Sequence, residues 1–238
     1  MGKIGITEKG DAGLNFAWAG RLDEVDFAIL ISKNLNDKLI AGCIAHMYKV
    51  LLHLTVTGYG GTVVEPNVPK LEWTRKQLEV LKEYGYPIEQ VVLRLDPIIP
   101  TLKGIQNAEN VLKLFADSGI KRCRYSLIDE YNHVKSRYQQ HGITPAYAGF
   151  APAPIMIENT LKMLDKYRNI FEFEACVENT PDKLGCISEK DVKIMCCSTR
   201  LFSSSFQRGN CVCPSNKLEL LDEPRQCPHG CLYCYWRD

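Results

Sequence analysis

The chain predicts an α/β protein, a partial (β/α) TIM-like barrel with a cysteine-rich C-terminal tail. Strand-like apolar runs alternate with helix-like periodic stretches through the first 180 residues, the pattern of parallel strands joined by crossover helices. Five such strands, with short ones near Ile4 and Leu218, make six or seven. At 238 residues the chain falls a little short of the roughly 250 that a closed eight-fold barrel takes. From about Pro181 the periodicity fades into SSS and PSN breaks and crowded cysteines. Residues 1–238 are therefore expected to form one domain, with βα repeats over 1–180 and a tail over 181–238 folded across the barrel mouth.

Each element has its own signal. Phe27–Ser32 (FAILIS) is a continuous apolar run that predicts a buried strand, and 37–48 a helix. Residues 50–57 (VLLHLTVT) predict the next strand, ended by GYGG at 58–61. Residues 71–84 predict an amphipathic helix with Leu71, Leu78 and Leu81 on one face and Gly85 as its stop. A strand over 91–96 closed by Pro97, a helix over 107–117 stopped by Gly119, a strand over 122–128, a helix over 155–167 and a strand over 171–177 complete the series.

Composition narrows the function. Twenty-nine Lys+Arg against twenty-eight Asp+Glu leave a formal charge of +1, so no global basic field favours an extended nucleic-acid duplex. With 45% hydrophobic and 24% charged residues the chain has the balance of a globular domain. Its apolar runs are too short to cross a bilayer, its first residues lack the apolar core of a secretory signal, and Ile6 breaks the myristoylation pattern. A cytoplasmic protein without membrane contact is expected. In that setting the eleven cysteines point to metal binding or catalysis rather than disulfides. Cys43 is expected in the core and the adjacent Cys196 and Cys197 in packing roles.

The strongest signal is Cys227-Pro-His-Gly-Cys231-Leu-Tyr-Cys234-Tyr-Trp. Thiolates are soft ligands suited to iron–sulfur clusters and zinc. Three of them at x3 and x2 spacing fit a loop wrapping one face of a four-iron cube and leave one iron open, whereas a closed site normally has four protein ligands. The competing reading is a zinc knuckle completed by His229 or an upstream cysteine.

C-x3-C-x2-C with an aromatic before the last cysteine resembles the radical S-adenosylmethionine signature. The resemblance implies a [4Fe–4S] cluster on Cys227, Cys231 and Cys234 and S-adenosylmethionine chelated at the open iron. It also implies one-electron cleavage to a 5′-deoxyadenosyl radical, and Tyr233 lying against the cofactor. In most of that superfamily the motif follows the first barrel strand. Here it follows the segment 217–221, which would make the barrel circularly permuted if that segment is a strand. The order ITEKGDA, ISKN, EPNVP, RLDPIIP, EACVEN, CVC and CPHGCLYCYW resembles the uncharacterised family termed domain of unknown function 1848, whose members look like relatives of spore photoproduct lyase. It implies Lys33, Arg94 and Asp96 as cofactor contacts, joined by Gly60 and Gly61, where glycine permits close backbone approach.

Alternation along strands supplies further candidates. His53, Thr55 and Thr57 share a face, as do Arg94 with Asp96, Arg122 and Arg124 with Ser126, and Glu172, Glu174 and Cys176 with Glu178. Such faces line either a ligand-filled mouth or a buried salt-bridge layer. Cys176, Cys186, Cys211 and Cys213 are candidates for a second metal site, iron–sulfur or zinc. Buried structural thiols and a hydrogen-atom donor are the alternatives. The expected function is a radical enzyme acting on an unidentified small-molecule substrate, with a nucleotide or DNA lesion among the candidates and a flavodoxin or ferredoxin as electron donor. The competing classes are a non-catalytic iron–sulfur redox or sensor module and a zinc-stabilised binding protein.

Overall fold

A computed structural model describes residues 2–176, 180–202, 212–222 and 227–237. Seven strands form one sheet: β1 (Ile4–Ile6), β2 (Phe27–Ser32), β3 (Val50–Thr55), β4 (Val91–Ile98), β5 (Arg122–Leu127), β6 (Glu172–Ala175) and β7 (Lys217–Glu219). Every neighbouring pair is parallel, in the order β6-β5-β4-β3-β2-β1-β7. The two short expected strands are both present and pair with each other, Ile4 opposite Lys217 and Ile6 opposite Glu219. The helices are α1 (Asp37–Ala45), α2 (Leu71–Glu83), α3 (Leu102–Phe115), α4 (Asn132–Gln140), α5 (Pro154–Asp165) and α6 (Glu189–Ile194).

The two faces of the sheet are separated by the alternation of side chains. Ala28, Leu30, Leu52, Leu54, Leu93 and Tyr125 face one way and share a core with Leu39, Leu78, Val111, Phe115 and Leu164 from α1, α2, α3 and α5. The opposite parity (Ile4, Ile6, Phe27, Ile29, Leu51 and Val92) packs against Cys186, Ile187, Val192, Met195 and Cys213 of the tail. Helices thus cover one face, and the stretch after β6 fills part of the other. A third apolar cluster sits beyond the C-terminal ends of the strands, where Tyr59, Val64, Ile99, Ile128 and Tyr138 surround Cys231, Leu232 and Tyr233. The tail therefore divides, one part against the sheet's inner face and one at its rim.

Several boundaries move for identifiable reasons. β4 does not close at Pro97. Pairing steps over that residue by a register shift and resumes at Ile98 opposite Leu127, so the missing N–H costs no ladder bond. α3 begins five residues before the expected 107 because the Thr101 hydroxyl caps Gly104 N–H at 3.1 Å. α1 ends at Ala45, short of the expected 48, and Gly85 follows α2 with φ +83°. α4 and α6 carry no strong apolar period and were not expected. Cys43 is fully buried, as its helix position implied, but Cys196 is exposed at φ +50° and fills no core.

Candidate metal centre

The loop bearing Cys227, Cys231 and Cys234 is held at the rim from three directions. From the β3–α2 connection, Asn67 donates its side chain to Pro228 O at 2.7 Å and its N–H to His229 O at 3.2 Å, while Val64 O accepts from Leu232 N–H at 3.0 Å. Arg137 on α4 donates Nε to Leu232 O at 2.9 Å and its remaining nitrogens to the carbonyls of Cys234 and Arg237. After β1, Asp11 meets His229 Nε2 at 2.7 Å, and His229 Nδ1 lies 3.2 Å from Asn67 O. Gly230 turns the loop at φ +71°, and a Cβ there would lie 3.2 Å from Pro66.

The three thiols lie within electrostatic reach of one another, Cys231 of both Cys227 and Cys234 and Cys227 of Cys234. Burial pushes the Cys231 thiol up to about 12, with Lys33 pulling the other way. Burial also raises Cys227, opposed by the His229 N–H that bonds its sulfur. Without a cation Cys227 and Cys231 are held toward the thiol form, and a soft cation is what would ionise them. Both ring nitrogens of buried His229 are engaged, so it does not fit as a fourth zinc ligand. Among the described residues no group of three or more His, Cys, Asp or Glu side chains is disposed to hold a single metal ion. In a cubane each thiolate binds a different iron, so the donor arrangement a cluster needs differs from that of a lone ion.

Beside the loop stands a compact charged group. Lys33, at the end of β2, places Nζ 2.9 Å from Glu65 Oε1, 3.5 Å from Asp96 O and 5.3 Å from the centre of the Tyr233 ring. Tyr233 and Thr57 donate hydroxyls to Glu65, the latter at 2.7 Å. Burial alone would lower Lys33 and raise Glu65. Their attraction wins: Lys33, helped by Cys231 and Asp96, stays above the usual lysine value, and Glu65, helped by Tyr233 and Thr57, below the usual carboxylate. Asp96 is likewise held low against burial by Arg94, Ser126 and Lys33. Arg94 bonds Asp96, but its buried Nε and Nη1 find no hydrogen-bond partner among the described residues. An orphaned buried guanidinium edge is a feature that an anionic ligand group would satisfy.

Of the expected contacts, Lys33, Asp96 and Tyr233 are brought together beside the cysteines, with Arg94 attached through Asp96. Gly60 lines a small cleft with Lys33, Thr55 and Glu65, yet its lack of a side chain already has a packing cause, since a Cβ would fall 2.0 Å from Pro69 O. Gly61 turns at φ +74° against Lys70. Glu65, Asp11 and Arg137 were not singled out. The first two stand inside EPNVP and ITEKGDA, where an acid beside turn residues was the available signal. Arg137 lay in a helix that the pattern did not reveal.

The polar faces of β5 and β6 are the salt-bridge layer. Arg122 pairs with Glu174 at 2.9 Å and Asp191 at 2.7 Å, and Arg124 bonds the same two carboxylates, all buried. They are spoken for and do not line an open mouth; Glu178 lies outside the described residues. His53 and Thr55 are buried, and among the described residues neither imidazole nitrogen nor the hydroxyl has a hydrogen-bond partner. Of the second cysteine group, Cys176 Sγ is 3.3 Å from Cys186 Sγ, and Cys186 N–H points at Cys213 Sγ at 3.3 Å, whereas Cys211 lies outside the described residues. A groove of about 600 Å³ runs along the β6 edge between Lys121, Arg168, Glu172 and Lys190 and holds none of the expected cofactor or metal contacts. No helix among the described residues is long and apolar enough to cross a membrane.

A family model described as "Domain of unknown function (DUF1848)" matches residues 18–236. No curated protein matches the sequence. Among solved structures, the lysine/ornithine decarboxylase from Vibrio vulnificus complexed with cadaverine aligns at 12% identity with a TM-score of 0.35, over 64% of this chain and 40% of that one. So distant a likeness carries no argument about function.

Proposed function

The chain belongs to the DUF1848 family, and from the geometry of its rim we propose that it is a radical S-adenosylmethionine enzyme whose [4Fe–4S] cluster is held by Cys227, Cys231 and Cys234. The observation that carries this reading is the clamped triad loop at the C-terminal ends of the strands, three mutually interacting sulfurs beside Lys33, Glu65 and Tyr233. Catalytic groups of parallel α/β barrels gather at that end. The parallel pairing of β7 with β1 supports a circularly permuted partial barrel, because the cysteine loop then follows a strand at the same rim.

When bound, the cluster and its cofactor would supply one-electron cleavage of the sulfonium to a 5′-deoxyadenosyl radical. The chain's own side chains do the remaining work. Arg94 offers its free Nε and Nη1 to the cofactor carboxylate, and Asp96 offers the charge that an amino or ribose group needs. Tyr233, fixed by Glu65, gives the cofactor a flat wall, and Lys33 balances the charge of ionised Cys231. Gly60 brings backbone to the cleft that Lys33 and Glu65 line, and Gly61 turns the chain beside it. The substrate class remains a small molecule or nucleotide, the formal charge of +1 arguing against an extended duplex, with a flavodoxin- or ferredoxin-like electron donor.

Anaerobic reconstitution with iron and sulfide, followed by reduction in the presence of S-adenosylmethionine, tests the proposal. Visible iron–sulfur absorbance and release of 5′-deoxyadenosine are expected, both lost in Cys227→Ala, Cys231→Ala and Cys234→Ala. Stoichiometric zinc without iron after anaerobic purification would refute it.

A further inference from the structure

We propose that Cys176 and Cys186 are a reversible redox dithiol that closes to a disulfide on the inner face of the sheet. Their sulfurs are already 3.3 Å apart, and a disulfide needs about 2.05 Å, an approach of little more than an ångström. Neither lies within a helix or strand: Cys176 follows β6, and Cys186 precedes α6, so the approach deforms no regular element.

The arrangement around Cys186 sets this group apart from a metal cage. Cages place donors around a void at the ion's position. Here Cys176, Cys213 and the Glu8 carboxyl are gathered around the Cys186 sulfur itself, with hydrogen bonds to each. Positive charge faces the same sulfur from Arg94 on β4 and Lys217 on β7. Anionic sulfur, stabilised in this way, is the form that attacks a disulfide. Cys43 and Cys123 lie in the helix-covered core, away from this group, and serve as internal controls.

Exposure orders the steps. Cys176 is part-exposed and Cys186 only 7% exposed, so a small-molecule disulfide meets Cys176 first. The Cys176 thiol passes its proton to the neighbouring Cys186 sulfur and forms a mixed disulfide; the external S–S bond breaks, and the departing sulfur takes that proton and leaves as a thiol. Cys186 sulfur, anionic again, then attacks Cys176 sulfur, and the second external sulfur takes a proton from solvent and leaves as a thiol. Two protein sulfurs are oxidised, one external disulfide is reduced to two thiols, and two electrons pass outward. This chemistry does not depend on the cluster reading.

The test uses the full chain carrying Cys227→Ala, Cys231→Ala and Cys234→Ala, so that triad iron cannot interfere. Purified anaerobically, it is equilibrated in oxidised and reduced dithiothreitol mixtures, alkylated under denaturing conditions, digested and mapped by mass spectrometry. A Cys176–Cys186 cross-link is expected to appear with two-electron dependence, the ratio of bridged to open pair changing tenfold per about 30 mV. It should revert on reduction while Cys43 and Cys123 stay alkylatable. It should persist in a further Cys213→Ser variant and vanish in Cys186→Ser. Full alkylation of both residues across the whole range, or a bridge formed equally to Cys213, would overturn the proposal. So would stoichiometric iron or zinc retained by the triad variant and lost on Cys186→Ser.

Discussion

Asp11 and His229, 218 residues apart in the chain, meet side chain to side chain at 2.7 Å. The same carboxylate accepts Ser32 Oγ at 2.6 Å and the N–H groups of Gly13 at 2.8 Å and Lys33 at 2.7 Å. One acid thus ties the end of β2 to the cysteine loop, and His229 is an anchor rather than a ligand.

If the proposed cluster is present, removing that anchor should loosen its loop more than the fold. Asp11→Ala is expected to keep its circular dichroism spectrum and lose iron to a chelator on the order of ten- to a hundredfold more readily, as for outer partners of metal ligands. Iron retention equal to the unmodified protein's would mean the loop is held without Asp11.

Arg137→Met removes the donors for three carbonyls of the loop. At about 1.5–3 kcal/mol for a hydrogen bond to a charged group, local opening should be on the order of a hundredfold more frequent. Amide exchange at Leu232 and Cys234 should accelerate by that factor while β2 and β3 keep their protection. A uniform change across the chain would instead mean global destabilisation.

The buried layer of Arg122, Arg124, Glu174 and Asp191 should be costly to break at one partner. Arg124→Met is expected to lower stability by about 3–5 kcal/mol in urea titrations. Burial would raise both acids, but Arg124 and Arg122 outweigh it and hold them below their ordinary 4.5 and 3.8. Their contribution is therefore complete above those values and is lost as pH falls through the still lower folded values. In Arg124→Met acid unfolding should begin at higher pH; an unchanged acid midpoint would exclude the layer as its source.

His53 gives a separate signature nearer neutrality. Burial, then Arg124, Arg94 and Arg122, keep it well below the free value of 6.5. Below that value the unfolded chain takes up a proton that the folded protein refuses, so stability is full above it and declines as pH falls. The slope should approach about 1.4 kcal/mol per pH unit. His53→Leu should flatten that slope in urea titrations between pH 7 and 5, and a slope that persists would assign it to another group.

The βα order was legible because parallel strands buried on two faces read as uninterrupted apolar runs, whereas β7, Lys217–Glu219, is half-buried and carries only Leu218 as an apolar signal. FAILIS and VLLHL could hardly be anything else. α4 was not legible, because NHVKSRYQQ buries only Val134, Arg137 and Tyr138, and one of those is an arginine. The cysteine triad stood out through ligand chemistry and spacing. Its supports did not, since Asp11, Asn67 and Arg137 act through pairings that span between 95 and 218 residues. The Arg and Glu of β5 and β6 could be read as ligand contacts until Asp191, on a helix the pattern missed, supplied the second acid.

The contact of β7 with β1 also has a consequence for biosynthesis. A ribosome makes Ile4–Ile6 early and Lys217–Glu219 late. At ~5–20 residues per second, the flank of β1 waits roughly ten to forty seconds for its partner. During that interval the nascent chain presents unpaired backbone where β7 will dock, and a handhold for a chaperone or a wrong strand is open.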